Sequence, residues 1–303
     1  MDAPTDDQRI LVPFDGEEPP APAWFEWAMA QRPERHRVTS EGAGIEYLVW
    51  GEKGKPGLFL LHGGGAHAWW WAHLAPFFAA DWRVAAMSMA GMGGSDWRDS
   101  YAIDQHARDM RVVAEAAGLL EAGPVALAGH SFGGAPTATA AADPEGWARQ
   151  AIIIDSSLDM QHQPSSDRFK PKPRRYFDSL EEGLARFRFM PPQGCDNVFI
   201  ADMIARKSLA ELADGRWSWC FDPSNYANTA RLDSRARAIA APCPLAIVHG
   251  DKSWIMSEEV VAGLKRDLPE GTPFVAIPDS EHHVMVDQPL ALVAAMRALL
   301  ESA

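Results

Sequence analysis

Val125-Ala126-Leu127-Ala128-Gly129-His130-Ser131-Phe132-Gly133-Gly134 is the stretch on which the reading of this chain turns. Its first half is a continuous apolar run, as expected of a central strand covered on both faces. Its second half opens an Ala-rich segment with helical character. The G-x-S-x-G spacing therefore falls on a strand–turn–helix corner. A serine lifted out on such a corner has a strained backbone, and its neighbours in space must lack side chains. Gly129 and Gly133 supply that space. The helix N-terminus beneath favours developing negative charge. A phosphate-binding loop is excluded because no G-x-x-x-x-G-K-[ST] is present, and no cofactor is expected.

Working outward, apolar runs predict strands over 36–41, 44–51, 57–62, 83–89, 124–129, 150–155, 244–249 and 273–278. Helical patterns fall between them at 68–80, 101–118, 132–142, 257–268 and 288–301. The last carries a stripe at Leu290, Val293, Ala294, Met296, Leu299 and Leu300. Alternating strands and helices predict an α/β fold with a parallel sheet and helices on both sides. Residues 156–240 break this rhythm. A Pro-rich loop from Gln163 to Pro173 leads into helical patterns at 178–189, 198–213 and 228–238, which is the appearance of a helical insertion. Residues 1–35 are Pro-rich and acidic, with the aromatic patch Trp24-Phe25-Glu26-Trp27, and read as an extended arm pinned by aromatics.

Two further motifs carry chemistry. His62-Gly63-Gly64-Gly65 ends the strand candidate Leu58–Leu61. A glycine loop there can present an N–H to a developing oxyanion, and the amide after the serine, that of Phe132, can present another. Gly64 is the preferred donor, with Gly65 as the neighbouring alternative. Asp279-Ser280-Glu281-His282-His283 follows the last strand, where a general base could reach Ser131. Spacing alone does not choose between the two histidines. His67, His73 and His106 read as helix-surface or pocket residues. None of them has metal-ligand spacing, so no metal is expected.

The chain has 303 residues, 47% of them hydrophobic and 23% charged, which suits a globular protein and not a disordered one. It carries 28 Lys and Arg against 41 Asp and Glu, a net charge of −13. Such a surface repels phosphate backbones and acidic membranes, so neither is an expected partner. The most basic stretch, Arg168–Arg175, is short and reads as a solvated loop. Cys195, Cys220 and Cys243 are scattered, with no CxxC pair, and read as small hydrophobes in a reducing compartment. The acidic N-terminus lacks a signal-peptide core, and no apolar run approaches the ~20 residues that span a bilayer. A cytoplasmic location is expected.

Taken in chain order, the three motifs resemble the α/β-hydrolase superfamily over residues from about 36 to 302. Gly91-Met92-Gly93-Gly94-Ser95-Asp96 is similar to that family's turn after the fourth strand, and Asp287-Gln288-Pro289 to the segment after its catalytic histidine. The resemblance implies an α/β-hydrolase fold with a mostly parallel central sheet. The core would be split into 1–155 (1–35 being the arm) and 241–303, with a helical cap at 156–240. It also implies Ser131 as nucleophile and His282, seven residues before the proline, as base. Members with an Asp nucleophile, haloalkane dehalogenases and epoxide hydrolases, differ at the elbow. The acid departs from the family pattern. Where the family carries G-x-x-D after the seventh strand, this chain has Gly250-Asp251-Lys252-Ser253. Asp155, which ends the sixth strand as in some relatives, is preferred, with Asp251 as the alternative.

These readings together imply a Ser-His-Asp hydrolase acting through an acyl-enzyme on a small-molecule carboxylic ester or lactone with a hydrophobic or aromatic group. C–C hydrolysis of a vinylogous diketone, acyl transfer or perhydrolysis, and a non-catalytic binding protein are the alternatives. Of the 12 tryptophans, Trp69, Trp217 and Trp254, with Gly65, are expected around the substrate pocket.

Overall fold

The computed structural model describes residues 9–159, 173–225, 229–230 and 232–302. Most of the Gln163–Pro173 loop, and Arg168–Lys172 of the basic stretch, lie outside them. Eight strands form the main sheet among the described residues. They are β1 (Glu34–Ser40), β2 (Ala43–Trp50), β3 (Gly57–Leu61), β4 (Arg83–Met87), β5 (Val125–His130), β6 (Ala148–Ile154), β7 (Leu245–Gly250) and β8 (Phe274–Ile277). Their spatial order is β1-β2-β4-β3-β5-β6-β7-β8. β2 runs antiparallel to both neighbours, and every pairing from β4 to β8 is parallel. All eight predicted strands are present, within about two residues at most of their ends.

Alternation along each strand sorts the core into two layers. Leu58, Leu60, Ala126, Ala128, Ile152 and Ile154 face one side, while Phe59, Leu61, Val125, Leu127, Ala151 and Ile153 face the other. The first layer is covered by α6 (Pro289–Glu301), and the second by α2 (Ile103–Ala116), α3 (Gly134–Ala141) and α5 (Glu258–Asp267). On α6 the buried stripe is Leu292, Val293, Met296, Leu299 and Leu300; Leu290 and Ala294 of the predicted stripe face solvent.

Several predicted elements differ. The helix expected over 68–80 is two 3-10 turns, Ala68–Trp71 and Ala75–Phe77. Pro76 lacks the N–H a continuing helix needs. The arm is not wholly extended: from residue 9 it holds a 3-10 turn, Val12–Phe14, and α1 (Ala23–Ala30). Its aromatics do pin it. Phe25 meets Phe199 edge-on at 4.9 Å, and Trp24 lies 6.3 Å from Phe77.

The stretch between β6 and β7 is less helical than its pattern suggests. A short helix, Leu180–Leu184, is capped by Ser179, whose Oγ accepts from the Glu182 N–H at 3.2 Å. α4 (Val198–Ser208) stops where Leu209 becomes extended. Tyr176–Phe177, Leu209–Glu211 and Trp217–Trp219 then form a three-stranded antiparallel sheet, with 217–219 central. The pattern expected at 228–238 is a strand at Thr229–Ala230, parallel to Tyr101–Ala102, followed by a helix at Ser234–Ala240; position 228 lies outside the described residues. Strands of two or three residues are too short to show a period. Among the described residues no helix is long and apolar enough to cross a membrane.

Phe25→Ala removes the anchor of α1. A loss of about 3 kcal/mol in unfolding free energy is expected for a buried Phe→Ala change, measured by urea denaturation.

Candidate active site

Ser131 follows β5 directly and adopts φ +53°. Two glycines around it, Gly129 and Gly133, are required by close approach. A Cβ on Gly129 would lie 2.2 Å from Thr137 Oγ1, and one on Gly133 would lie 2.3 Å from the His62 carbonyl oxygen. A Cβ on Gly63 would sit 3.1 Å from Ser131 Cβ, so the β3 loop packs against the serine itself.

Ser131 Oγ lies 2.9 Å from His282 Nε2. His282 Nδ1 lies 2.8 Å from Asp155 Oδ1. Asp155 is fully buried just beyond β6, with φ +46°. Its carboxylate also accepts from Ser253 Oγ at 2.6 Å and from the Gly250 N–H at 2.9 Å. The Ser253 that stands at the family's acid position thus donates to the carboxylate reaching in from the neighbouring strand. Asp251 is exposed, and its Oδ1 accepts from the Ser280 N–H at 3.2 Å; the structure does not bring it to His282. Gly250 also matters. A Cβ there would lie 2.3 Å from the carbonyl oxygens of Ser280 and Glu281, so the loop bearing His282 can lie flat on the end of β7.

The glycine loop has an orienting device that sequence reading missed. His62 Nε2 accepts from the Met89 N–H at 2.9 Å, so Nδ1 carries the proton and donates to the Gly63 carbonyl at 2.6 Å. Burial pushes the His62 imidazole down to about 3, which keeps it neutral. In a trans peptide the N–H points opposite to the C=O. Holding the Gly63 carbonyl therefore aims the Gly64 N–H the other way. That N–H donates to no described residue. Gly65 has φ +70°, and a Cβ there would meet nothing within 4 Å, so open space lies beside the loop. Phe132 is buried, edge-on to His106 at 6.1 Å.

His283 is not at the serine. Its ring packs 4.9 Å from Phe189 and 5.4 Å from Trp70, and burial with the neighbouring histidines holds it well below the usual imidazole range. His130 donates from Nε2 to the His282 carbonyl at 2.9 Å, and burial likewise keeps it neutral. His67 and His73, expected at a surface or pocket, are buried structural groups. They bond to Ser208 Oγ and the Met285 carbonyl, both at 2.8 Å, and burial pushes each to about 4. His106 is fully buried too. Nothing in the sequence marks these as buried, because the elements that cover them are distant in the chain.

The expected pocket tryptophans differ in burial. Trp69 is half-buried with the Lys207 ammonium 4.4 Å over its ring, and Trp217 is half-buried in the small sheet. Trp254 is 60% exposed, because the turn after β7 buries Ser253 instead.

Residues 58–296 match the family model described as the alpha/beta hydrolase family. The chain belongs to that family. Among curated relatives, epoxide hydrolase 4 of Mus musculus is 32% identical over 101 residues, 32% of this chain and 27% of that protein. The match thus spans about a quarter of that relative's length. The esterase Rv0045c of Mycobacterium tuberculosis is 25% identical over 286 residues, 89% of this chain and 90% of that one. Among solved structures, E-2-(acetamidomethylene)succinate hydrolase superposes with TM-score 0.74 at 20% identity, covering 89% of this chain and all of its own. The thioesterase domain from the curacin biosynthetic pathway superposes with TM-score 0.72 at 18% identity, covering 88% and 99%. These similarities are to the fold.

Gly133→Ala forces a methyl onto a backbone carbonyl. A loss of about 1–3 kcal/mol is expected, read as a lower melting temperature in near-UV circular dichroism.

Proposed function

We propose that this protein is a serine hydrolase that works through an acyl-enzyme, most plainly on carboxylic esters or lactones. The observation that carries this reading is the unbroken relay Ser131 Oγ–His282 Nε2, 2.9 Å, and His282 Nδ1–Asp155, 2.8 Å. His282 takes the serine proton as Ser131 attacks the carbonyl carbon. The negative charge on the carbonyl oxygen falls to the N–H groups of Gly64 and Phe132. The imidazolium, steadied by Asp155, then protonates the leaving alkoxide. Water attacks the acyl-enzyme with His282 again as base. Asp155 keeps the proton on Nδ1 so that Nε2 faces the serine as acceptor.

Ser131 also bears on the match to an epoxide hydrolase. Opening an epoxide through a covalent ester in the manner of the Asp-elbow members needs a carboxylate at the elbow, and a serine cannot supply one. The similarity to an esterase over nine-tenths of its length supports the ester reading. In this reading residues 156–240 are the cap that shapes the acyl or alcohol site. The Trp69 and Trp217 faces are its candidate apolar walls, and Gly65 opens space beside the reacting carbonyl. C–C hydrolysis, acyl transfer to another acceptor and a purely binding role would use the same serine differently or not at all.

A fluorophosphonate probe should label the wild type and fail on Ser131→Ala. With ester, lactone and diketone substrates, Asp155→Asn should lower kcat by about 10³–10⁴-fold, whereas Asp251→Asn should stay within about threefold. Turnover that survives Ser131→Ala would sink the mechanism.

A further inference from the structure

Gln193 lies between β6 and β7, outside the relay. Its Oε1 accepts from the backbone N–H of His283 at 2.9 Å and from His283 Nδ1 at 2.5 Å. Its Nε2 donates to Asp287 Oδ1 at 2.9 Å. The other oxygen, Asp287 Oδ2, accepts from the N–H of Glu281 at 2.8 Å. Two side chains thus bridge the backbone N–H groups immediately before and after His282.

The polarity of this bridge is determined by its ends. Both ends are N–H donors, so the bridge must present an acceptor at each end and a matched donor and acceptor in its middle. One amide with one carboxylate satisfies that. Two ionised carboxylates do not, unless they share a proton. Two amides leave an N–H facing an N–H.

We infer that Gln193 and Asp287 are positioning residues which hold the His282 loop in register, and that through Gln193 the inserted segment takes part in aligning the base. The inference rests on His282 acting as that base. Neighbouring contacts point the same way. Asn197 Nδ2 donates to the carbonyls of Val286 and Asp287 at 2.8 and 3.1 Å, again from the inserted segment. His130 holds the His282 carbonyl, and His73 holds that of Met285. The loop is therefore fastened along its length, while the 2.9 Å contact to Ser131 depends on where it lies. Burial pushes the Asp287 carboxyl up to about 6, with the Glu281 and Asp196 carboxylates adding to the rise. The Cys195 thiol beside it is pushed to about 12 by burial, and the buried His283 stays neutral, so neither offsets that charge.

The test is a mutant cycle read against pH, with each variant compared with wild type at every pH from 5 to 9. Gln193→Glu is nearly isosteric and puts two carboxylates in contact. Below the apparent pKa of the pair they share a proton, and kcat should approach that of wild type. As pH rises through it, kcat should fall by about tenfold to a hundredfold, with KM changed less than about threefold. Asp287→Asn alone should lose activity at all pH values. The double variant Gln193→Glu/Asp287→Asn reverses the polarity of the bridge and should recover kcat at pH 9 to within about threefold of wild type. A pH-independent Gln193→Glu, or a folded double variant that recovers nothing, overturns the inference. If wild type shows no Ser131-dependent turnover, the hydrolase reading fails separately. The bridge is then read in melting temperature, where Gln193→Glu should lose ground to wild type as pH rises and the double variant should regain it; parallel curves overturn it.

Discussion

A fully buried carboxylate is the constraint around which this site is organised. Asp155 is closed off from bulk solvent, so its charge has to be met by buried donors. Three are supplied: His282 Nδ1, Ser253 Oγ and the Gly250 N–H. Each comes from a different place, the loop after β8, the turn after β7 and the last residue of β7. Satisfying one charge therefore draws together the C-terminal ends of three adjacent parallel strands. Ser131, at the end of β5, reaches the same edge. Charge-assisted hydrogen bonds of this kind are roughly twice as strong as neutral ones, and leaving the carboxylate unpaired would be costly. The relay to the serine is in this sense a by-product of solvating Asp155.

The rest of the site is set by neutral histidines. His62, His67, His73, His130 and His283 are all held by burial well below the normal imidazole range. Each behaves as a rigid polar pin with one defined tautomer instead of a titrating group. His62 aims a peptide of the glycine loop, and His130 and His73 hold carbonyls of the loop that bears His282. This accounts for a histidine-rich centre in a chain where residue spacing suggests no metal. The stretch between β6 and β7 is engaged with the same machinery. Ser208 meets His67 beyond the glycine loop, the Gly93 N–H donates to the Cys220 carbonyl at 2.7 Å, and Gln193 and Asn197 hold the loop after β8.

Much of this was legible in residue order. The continuous apolar runs marked the central strands, such as β3 and β5, since strands covered on both faces need no polar alternation. The glycines of the elbow could be read as spatial requirements, and each proves to face an atom closer than a Cβ tolerates. What failed was short or doubly determined. The stretch 68–80, with three consecutive tryptophans at 69–71, looked helical, yet it forms two 3-10 turns. The two- and three-residue strands of the inserted segment carry no period to detect. Trp254 looked like a pocket wall because it follows β7, but position in the chain does not say which of two adjacent side chains turns inward.

By itself, then, the sequence determined the layered sheet, the serine elbow and the glycine loop, because these depend on local periodicity and on residues within a few positions of one another. The partner of His282 was decided by the tertiary structure. Asp155 and Asp251 end adjacent parallel strands, and both lie near the loop after β8. The choice between them rests on which carboxylate is buried and which donors converge on it. The placement of Gln193 was decided the same way. An amide in a polar loop has no meaning until folding sets it between an N–H group and a carboxylate about ninety residues away.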